Sequence, residues 1–142
     1  MNRTEFQQLA DIRIKEAEAL LAAGLWDGAY YLAGYAVECG LKACVMAFVE
    51  RTGVIFKDKK FAEKCWTHDL DQLAELLGLS PQVTSHRGQP PAEPEVALRW
   101  DVVKDWDETS RYERTPEQKA REFFAAVTDP AHGVLQWVRK YW

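Results

Sequence analysis

The sequence contains little cysteine, and most of its proline lies in one segment. Three cysteines occur among 142 residues, and no two of them have the CxxC spacing typical of zinc and redox sites. An odd number of cysteines disfavours a disulfide framework, so we expect Cys39 and Cys44 to be small buried residues in a reducing compartment. Four of the six prolines fall between positions 81 and 94, which predicts a loop there. The sequence predicts no metal site and no cofactor.

The sequence also lacks an excess of positive charge and long apolar runs. The formal net charge is −4, so no global positive field would draw the chain to duplex DNA. No stretch reaches the roughly 18 uninterrupted apolar residues that cross a bilayer, and the charged N-terminus lacks the apolar core of a signal peptide. The sequence therefore predicts a cytoplasmic protein that binds neither duplex DNA nor a membrane.

Helical periodicity dominates the chain. Hydrophobic residues make up 47% and charged residues 28%, an ordinary balance for one domain with one core, so we treat residues 1–142 as a single domain. Apolar residues recur at helical spacing, and no segment alternates at period two over the length of a strand. The pattern predicts an all-α, up-down bundle of about five helices, in which the first two form a long hairpin.

The first three predicted helices precede the proline-rich segment. Two long ones cover residues 4–23, with Thr4 as N-cap, and residues 26–51. A mixed-charge loop follows over residues 54–66, either irregular throughout or with a short helical turn of its own. The third helix then begins with Thr67 or Asp69 as its cap.

The last two predicted helices begin near positions 95 and 115. Thr115, Pro116 and Gln118 have the spacing of a capping box, with threonine as N-cap and proline at the first helical position. Asp129–Pro130 predicts a break in this final helical segment. Trp137 beyond the break is expected to pack against the bundle or a second subunit.

The second predicted helix carries a polar stripe within an apolar segment. Glycine in a helix interior costs up to about 1 kcal/mol relative to alanine, so Gly34 and Gly40 predict close packing of other elements. Four side chains share one face by helical spacing: Tyr31, Tyr35, Glu38 and Lys42. A buried Glu38–Lys42 pair needs a further partner, for which Arg111 is the candidate. This stripe is either a structural polar network or a binding site.

Four segments, in this order, resemble the HEPN domain family of small helical bundles. They are LADIRIKEAEALLAAGLWDGAYYLAGYAVECGLKA, with small residues, aromatics, an acid and LKA; THDLDQLAELLG; WDETSRYE, with the Arg111–Tyr112 pair; and the closing helix with its aromatic tail. Together they cover nearly the whole chain. The resemblance implies an α-helical bundle that forms a homodimer.

The resemblance implies one of two functions. Some members are metal-independent ribonucleases, often toxins of toxin–antitoxin pairs, whose site is an arginine followed four to six residues later by a histidine. Other members lack that site and act as a partner or substrate-binding subunit of a small nucleotidyltransferase. None of the histidines here, His68, His86 and His132, follows an arginine at that spacing. The absence of the usual nuclease motif favours the second group.

The sequence therefore predicts a noncatalytic HEPN-type module that dimerises and binds a nucleotidyltransferase-type partner, a nucleotide or RNA. Its predicted binding residues are Tyr31, Tyr35, Glu38, Lys42, Trp106, Arg111 and Tyr112. One alternative is a ribonuclease toxin with a nonstandard site, built from Arg111 as a phosphate clamp with His68 and Glu38. The other is a purely structural interaction module. In that case His68 would serve the start of the third helix, and Tyr112 would pack with its hydroxyl satisfied.

Overall fold

The computed structural model describes residues 1–53 and 58–142, and these residues form eight α-helices and one 3-10 helix without any strand. The α-helices are α1 (Arg3–Ala22), α2 (Trp26–Thr52), α3 (Lys59–Lys64), α4 (Leu70–Leu76), α5 (Ser80–Val83), α6 (Pro94–Val103), α7 (Glu117–Thr128) and α8 (Val134–Arg139). The 3-10 helix spans Glu108–Tyr112. The predicted all-α class is confirmed, although the described residues form more helices than the five predicted.

Helices α1 and α2 form the long antiparallel hairpin that was predicted. The turn between them contains Gly24 at a φ of 76°, a left-handed conformation that favours glycine. At the open end of the hairpin, Arg3 Nη1 lies 3.2 Å from Glu50 Oε2. The first turn of α1 therefore lies beside the last turns of α2.

The first helix begins earlier than the predicted Thr4 cap. Asn2 is the N-cap: its side chain accepts the Glu5 N–H at 2.9 Å, and the Glu5 carboxylate accepts the Asn2 N–H at 2.7 Å. This reciprocal pair is a capping box. Thr4 consequently lies inside the first turn.

Helix α2 is the centre of the core, and its two predicted close-packing glycines are confirmed. A Cβ atom built on Gly34 would lie 2.2 Å from Trp106 Nε1, and one built on Gly40 would lie 3.0 Å from Val138 Cγ1. Cys39 and Cys44 are also buried, as predicted. Because α2 is covered by the other helices, its apolar sequence serves the interior of the bundle.

Helix α2 also has the length and composition of a membrane-spanning helix. Within its apolar window, 61% of the residues are buried inside the bundle. The core helix of a globular protein has the same properties, so this is weak evidence for a membrane span. The cytoplasmic location and the absence of membrane binding stay predictions.

The proline-rich segment is more ordered than the predicted loop. Its beginning forms α5, which Pro81 can enter because proline suits the first turn of a helix. His86 and Gln89 then exchange two backbone hydrogen bonds, of 3.1 and 2.9 Å, across a tight turn. The connection ends at Pro94, where α6 starts. The predicted loop over 54–66 contains α3, while residues 54–57 lie outside the described residues.

The start of α7 differs from the predicted capping box, whereas its end is as predicted. Pro116 is the N-cap and makes no side-chain capping bond. The Thr115 N–H instead donates to Asp27 Oδ1 at 2.6 Å, which ties this segment to the start of α2. The predicted break is confirmed, because α7 ends at Thr128 and α8 begins at Val134. Trp137 is buried within the bundle.

Candidate functional site

Two tyrosines of the predicted stripe stack on each other along α2. The Tyr31 and Tyr35 rings are 6.1 Å apart and nearly parallel, with an angle of 3° between them. Both side chains are partly buried. Arg13 of α1 lies 6.0 Å from the centre of the Tyr35 ring. Burial raises the pKa of Tyr35, and the neighbouring Cys39 and Glu38 add to that effect. The Tyr35 hydroxyl is therefore neutral at physiological pH.

Glu38 is the centre of a polar network, and it is only 2% exposed. Lys42 Nζ donates to Glu38 Oε2 at 3.4 Å, while Glu38 Oε1 lies 2.9 Å from His68 Nδ1. His68 Nε2 lies 3.2 Å from Glu108 Oε2. We call these four residues the carboxylate–histidine network. The further partner of the Glu38–Lys42 pair is His68, so the predicted Arg111 contact is wrong.

His68 does not cap α4, so its predicted structural role there is wrong. Asp69 is the N-cap and accepts the Gln72 N–H at 3.0 Å. The two ring nitrogens of His68 instead face two carboxylates. An ionised carboxylate only accepts hydrogen bonds, and a neutral imidazole has only one N–H. The contact with Glu38 is a hydrogen bond, and the contact with Glu108 is an ion pair when the ring carries both protons. His68 thus lies between α2 and the 3-10 helix.

The network does not have the arrangement of a metal site. Glu38 and Glu108 face opposite nitrogens of His68, so the three groups do not converge on one point. Cys65 and His68 have the C-x-x-H spacing, but the Cys65 thiol donates to the Phe61 carbonyl at 3.2 Å. Across residues 1–53 and 58–142, no group of three potential ligands is arranged to hold an ion.

Arg111 and Tyr112 project from the 3-10 helix beside this network. Tyr112 is 79% exposed, so its predicted packing role is wrong. The Arg111 guanidinium carbon lies 4.8 Å from the centre of the Tyr112 ring. Hydrogen bonding to Tyr112 and, less strongly, to Tyr31 raises the pKa of Arg111. Arg111 forms no ion pair with any carboxylate in the described part of the chain.

Trp106 supports this surface from below and is not available as a contact residue. It is 2% exposed, its ring covers Gly34, and its centre is 5.9 Å from that of the Tyr31 ring. The indole Nε1 of Trp106 and the hydroxyl of Ser110 are buried without a hydrogen-bond partner among the described residues. The predicted binding role of Trp106 is therefore replaced by a packing role.

The structure thus brings most of the predicted site residues together. Tyr31 stacks on Tyr35, Arg111 lies against Tyr112, and Tyr31 contributes to the raised pKa of Arg111; we call these four residues the tyrosine–arginine face. Glu38, Lys42 and His68 lie in the adjoining network. Sequence reasoning missed Glu108, although it is three residues before Arg111 in the WDETSRYE segment. A cavity of about 580 Å³ lies elsewhere, lined by residues 24–28 and 114–116, and includes none of the predicted residues.

Fold and site together define an all-α helical bundle with an exposed arginine–tyrosine pair beside a partly buried carboxylate–histidine network. Comparison of the chain with protein-family models, with curated proteins and with solved structures gives no match. The function therefore has to be argued from the geometry of this face.

Proposed function

We propose that this protein is a noncatalytic HEPN-type module that binds single-stranded RNA or a nucleotide on its tyrosine–arginine face. The observation that carries the proposal is the exposed Arg111–Tyr112 pair. Arg111 is free of carboxylate partners among the described residues, and the Tyr112 ring beside it is open to solvent. Such a cation would otherwise be expected to pair with one of the many acids of a chain whose net charge is −4.

The two exposed side chains complement the two parts of a nucleotide. Guanidinium N–H groups match the geometry of phosphate oxygens, while exposed aromatic rings provide stacking surfaces for bases. Arg111 lies against the Tyr112 ring, 4.8 Å from its centre, and hydrogen bonding to Tyr112 and then to Tyr31 raises the pKa of Arg111, so the guanidinium is held between these two tyrosines. The His68–Glu108 contact holds the 3-10 helix that presents both groups. The face is therefore organised before a ligand arrives.

The noncatalytic part of the proposal is supported by the contacts of His68. A general acid or base needs a ring nitrogen within hydrogen-bonding reach of the substrate. Both nitrogens of His68 already face carboxylates, at 2.9 and 3.2 Å. Proton transfer by His68 would first require separation from Glu108.

The binding proposal is tested by fluorescence anisotropy with a labelled single-stranded RNA. We expect Arg111→Ala to weaken binding at least about tenfold, the size of one lost charge-assisted hydrogen bond. Arg114→Ala is the matched control, because Arg114 is 97% exposed at its side chain and lies three residues further on. Equal losses in the two variants would indicate nonspecific attraction and would contradict the proposal.

The proposal includes a homodimer and a nucleotidyltransferase-type partner, both of which rest on the family resemblance. Light scattering of the purified chain measures the first, and co-purification from the source organism tests the second. A monomer at all concentrations, or recovery without any nucleotidyltransferase, would remove that part of the proposal.

A ribonuclease is the second candidate, and the Glu38–His68 contact is the observation that favours it. A buried carboxylate that orients an imidazole is the usual support of a histidine base. End-labelled structured RNA incubated with the protein in EDTA tests this function. Cleavage that disappears in both Arg111→Ala and His68→Ala would replace the noncatalytic proposal, whereas intact RNA would exclude this candidate.

A further inference from the structure

A separate cavity, of about 260 Å³, lies near the C-terminal end of α2. The first turn of α1, the last turns of α2, the end of α4 and the residues after α8 enclose it. It shares no lining residue with the tyrosine–arginine face. Phe48, on its wall, is 13 residues beyond Tyr35, which corresponds to about 20 Å along the helix.

Three cations line this cavity, so we call it the basic cavity: Arg3, Arg51 and Lys140, with Phe48 and Trp142 as aromatic walls. Arg3 is paired with Glu50 at 3.2 Å. Arg51 contacts the Phe48 ring, 5.4 Å from its centre, and a ring contact of this kind uses none of its N–H donors. Neither Arg51 nor Lys140 forms an ion pair with a carboxylate of the described ranges. The cavity therefore carries positive charge in a chain whose net charge is negative.

Helix dipoles explain only part of this charge. Arg51 is in the last turn of α2 and Lys140 is the C-cap of α8, positions where the negative end of a helix favours cations. Arg3 is in the first turn of α1, where the dipole of its own helix opposes a cation. The position of Arg3 near Arg51 and Lys140 is therefore not explained by the helix dipoles.

The remainder of the cavity is uncharged. Ala47, Leu77 and Leu79 add aliphatic surface. Tyr141 is a third aromatic residue of the lining, and its hydroxyl donates to Gln82 Oε1 at 2.9 Å. The Cys44 thiol donates to the Val138 carbonyl at 3.5 Å, and burial raises the pKa of this thiol to about 12. Cys44 is thus a neutral part of the wall. The Trp142 ring is also in contact with Arg139, whose guanidinium carbon lies 4.8 Å from the ring centre.

We propose that the basic cavity binds a small aromatic anion, a single ring that carries a carboxylate or a phosphate. Guanidinium groups bind both anions through paired N–H donors, and the ring would lie against Phe48 and Trp142. The volume of about 260 Å³ is below the roughly 300 Å³ at which pockets for drug-sized ligands begin. Size therefore selects one ring over a larger ring system.

Calorimetric titration with four probes tests the proposal. Phenyl phosphate and benzoate contain both parts of the ligand, inorganic phosphate lacks the ring, and benzyl alcohol lacks the charge. We expect saturable binding of one equivalent of at least one ring anion, and binding at least about tenfold weaker for the two incomplete probes. The stronger of the two ring anions identifies the anionic group. The absence of saturable binding by either, or equal binding of inorganic phosphate, would overturn the proposal.

Two variants locate the binding in this cavity. Ala47→Leu fills the cavity while keeping the charges, and the double variant Arg51→Gln with Lys140→Gln removes charge while keeping the space. Each variant should weaken binding of the ring anion at least about tenfold, while an unchanged circular dichroism spectrum shows that the helices are intact. Arg114→Gln, outside the cavity, is the control and should bind normally. Binding that survives both cavity variants would overturn the proposal. Arg111→Ala should leave it intact, so the result is independent of the RNA-binding proposal.

Discussion

Two other parts of the chain pack against glycines of helix α2, and the surroundings of the two contacts differ in polarity. Trp106 packs on Gly34, and Val138 of α8 packs on Gly40. The two glycines are six residues apart, which is about 9 Å along the helix. Because glycine has no side chain, each neighbouring side chain packs directly on the backbone of α2. Glycine thus positions both neighbours in the same way.

The difference lies in what surrounds each contact. Beside Gly34 lie a buried carboxylate, Glu38, and two buried polar atoms without a partner among the described residues, on Trp106 and Ser110. Beside Gly40 the contact atoms are carbons of Val138, Leu135 and Trp142, and the nearest buried polar atom without a partner among the described residues is Arg139 Nε, one residue after Val138. Proteins tolerate costly polar burial mainly at functional sites. In the binding proposal, the Gly34 contact supports the tyrosine–arginine face through Trp106, whereas the Gly40 contact joins α8 to the core.

The largest effect is expected from adding one methyl group at each glycine. Gly34→Ala would place a Cβ 2.2 Å from the buried Trp106 ring, and we expect about 2 to 4 kcal/mol of destabilisation. Gly40→Ala would place its Cβ 3.0 Å from Val138, where a small shift suffices and alanine gains about 1 kcal/mol of helix propensity. We therefore expect Gly40→Ala to change stability by less than about 1.5 kcal/mol. Urea unfolding of both variants measures the difference.

The Gly34 prediction has a local signature as well. If Trp106 is displaced, its fluorescence should shift to longer wavelength in Gly34→Ala and stay unchanged in Gly40→Ala. Equal stability of the two variants would show that the Trp106 ring can shift away from residue 34 at little energetic cost. The proposed difference between the two contacts would then be lost.

The next effect concerns the buried carboxylate. Glu38→Gln keeps the shape but removes the charge that faces Lys42 and His68, and we expect a loss of about 1 to 3 kcal/mol. Glu117→Gln is the control, since its pair with Arg121 is more than half exposed on both sides and should change stability by less than about 0.5 kcal/mol. Thermal unfolding of the two variants measures the two losses of stability. A neutral Glu38→Gln would show that the network contributes no net stability.

A smaller, pH-dependent effect is expected at the break between α7 and α8. The N–H groups of Ala131 and His132, followed by the Arg99 side chain, hold the pKa of Asp129 below its usual 3.8. In the unfolded chain Asp129 takes up its proton near pH 3.8, whereas the folded protein resists this. Its contribution is therefore complete above pH 3.8 and is lost as the pH falls through the lower folded value.

Asp129→Asn tests this sign. The variant should lose less stability than the parent between pH 4 and pH 2, because no carboxylate remains to be protonated at this position. Urea unfolding at several pH values measures the slope. An identical slope in parent and variant would contradict the assignment.

The elements that could be predicted from the sequence depend on local chemistry. Gly34 and Gly40 indicated close packing, because a helix-interior glycine carries a known cost. Asp129–Pro130 indicated a break, because proline cannot continue a helix. The same local chemistry misplaced the start of α1: the Asn2–Glu5 spacing is itself a capping pair, and it prevails over Thr4.

The elements that could not be predicted depend on contacts between distant segments. Thr115 has the sequence of an N-cap, but its N–H is taken by Asp27, 88 residues away. Glu38 needed a further partner, and the sequence suggested Arg111. The structure provides His68, 30 residues away, because the segment before α4 lies across this part of α2. The family resemblance, the dimer and the partner stay predictions.

The most direct test of the central claim compares one variant from each region by two measurements. Tyr112→Ala removes an exposed ring of the tyrosine–arginine face, and Val138→Ala removes two methyl groups from the Gly40 contact. We expect Tyr112→Ala to weaken RNA binding with an unchanged free energy of unfolding. Val138→Ala should lower that free energy by about 2 kcal/mol with unchanged binding. If Tyr112→Ala lowers stability and leaves RNA binding unchanged, the assignment of this face to ligand binding is contradicted.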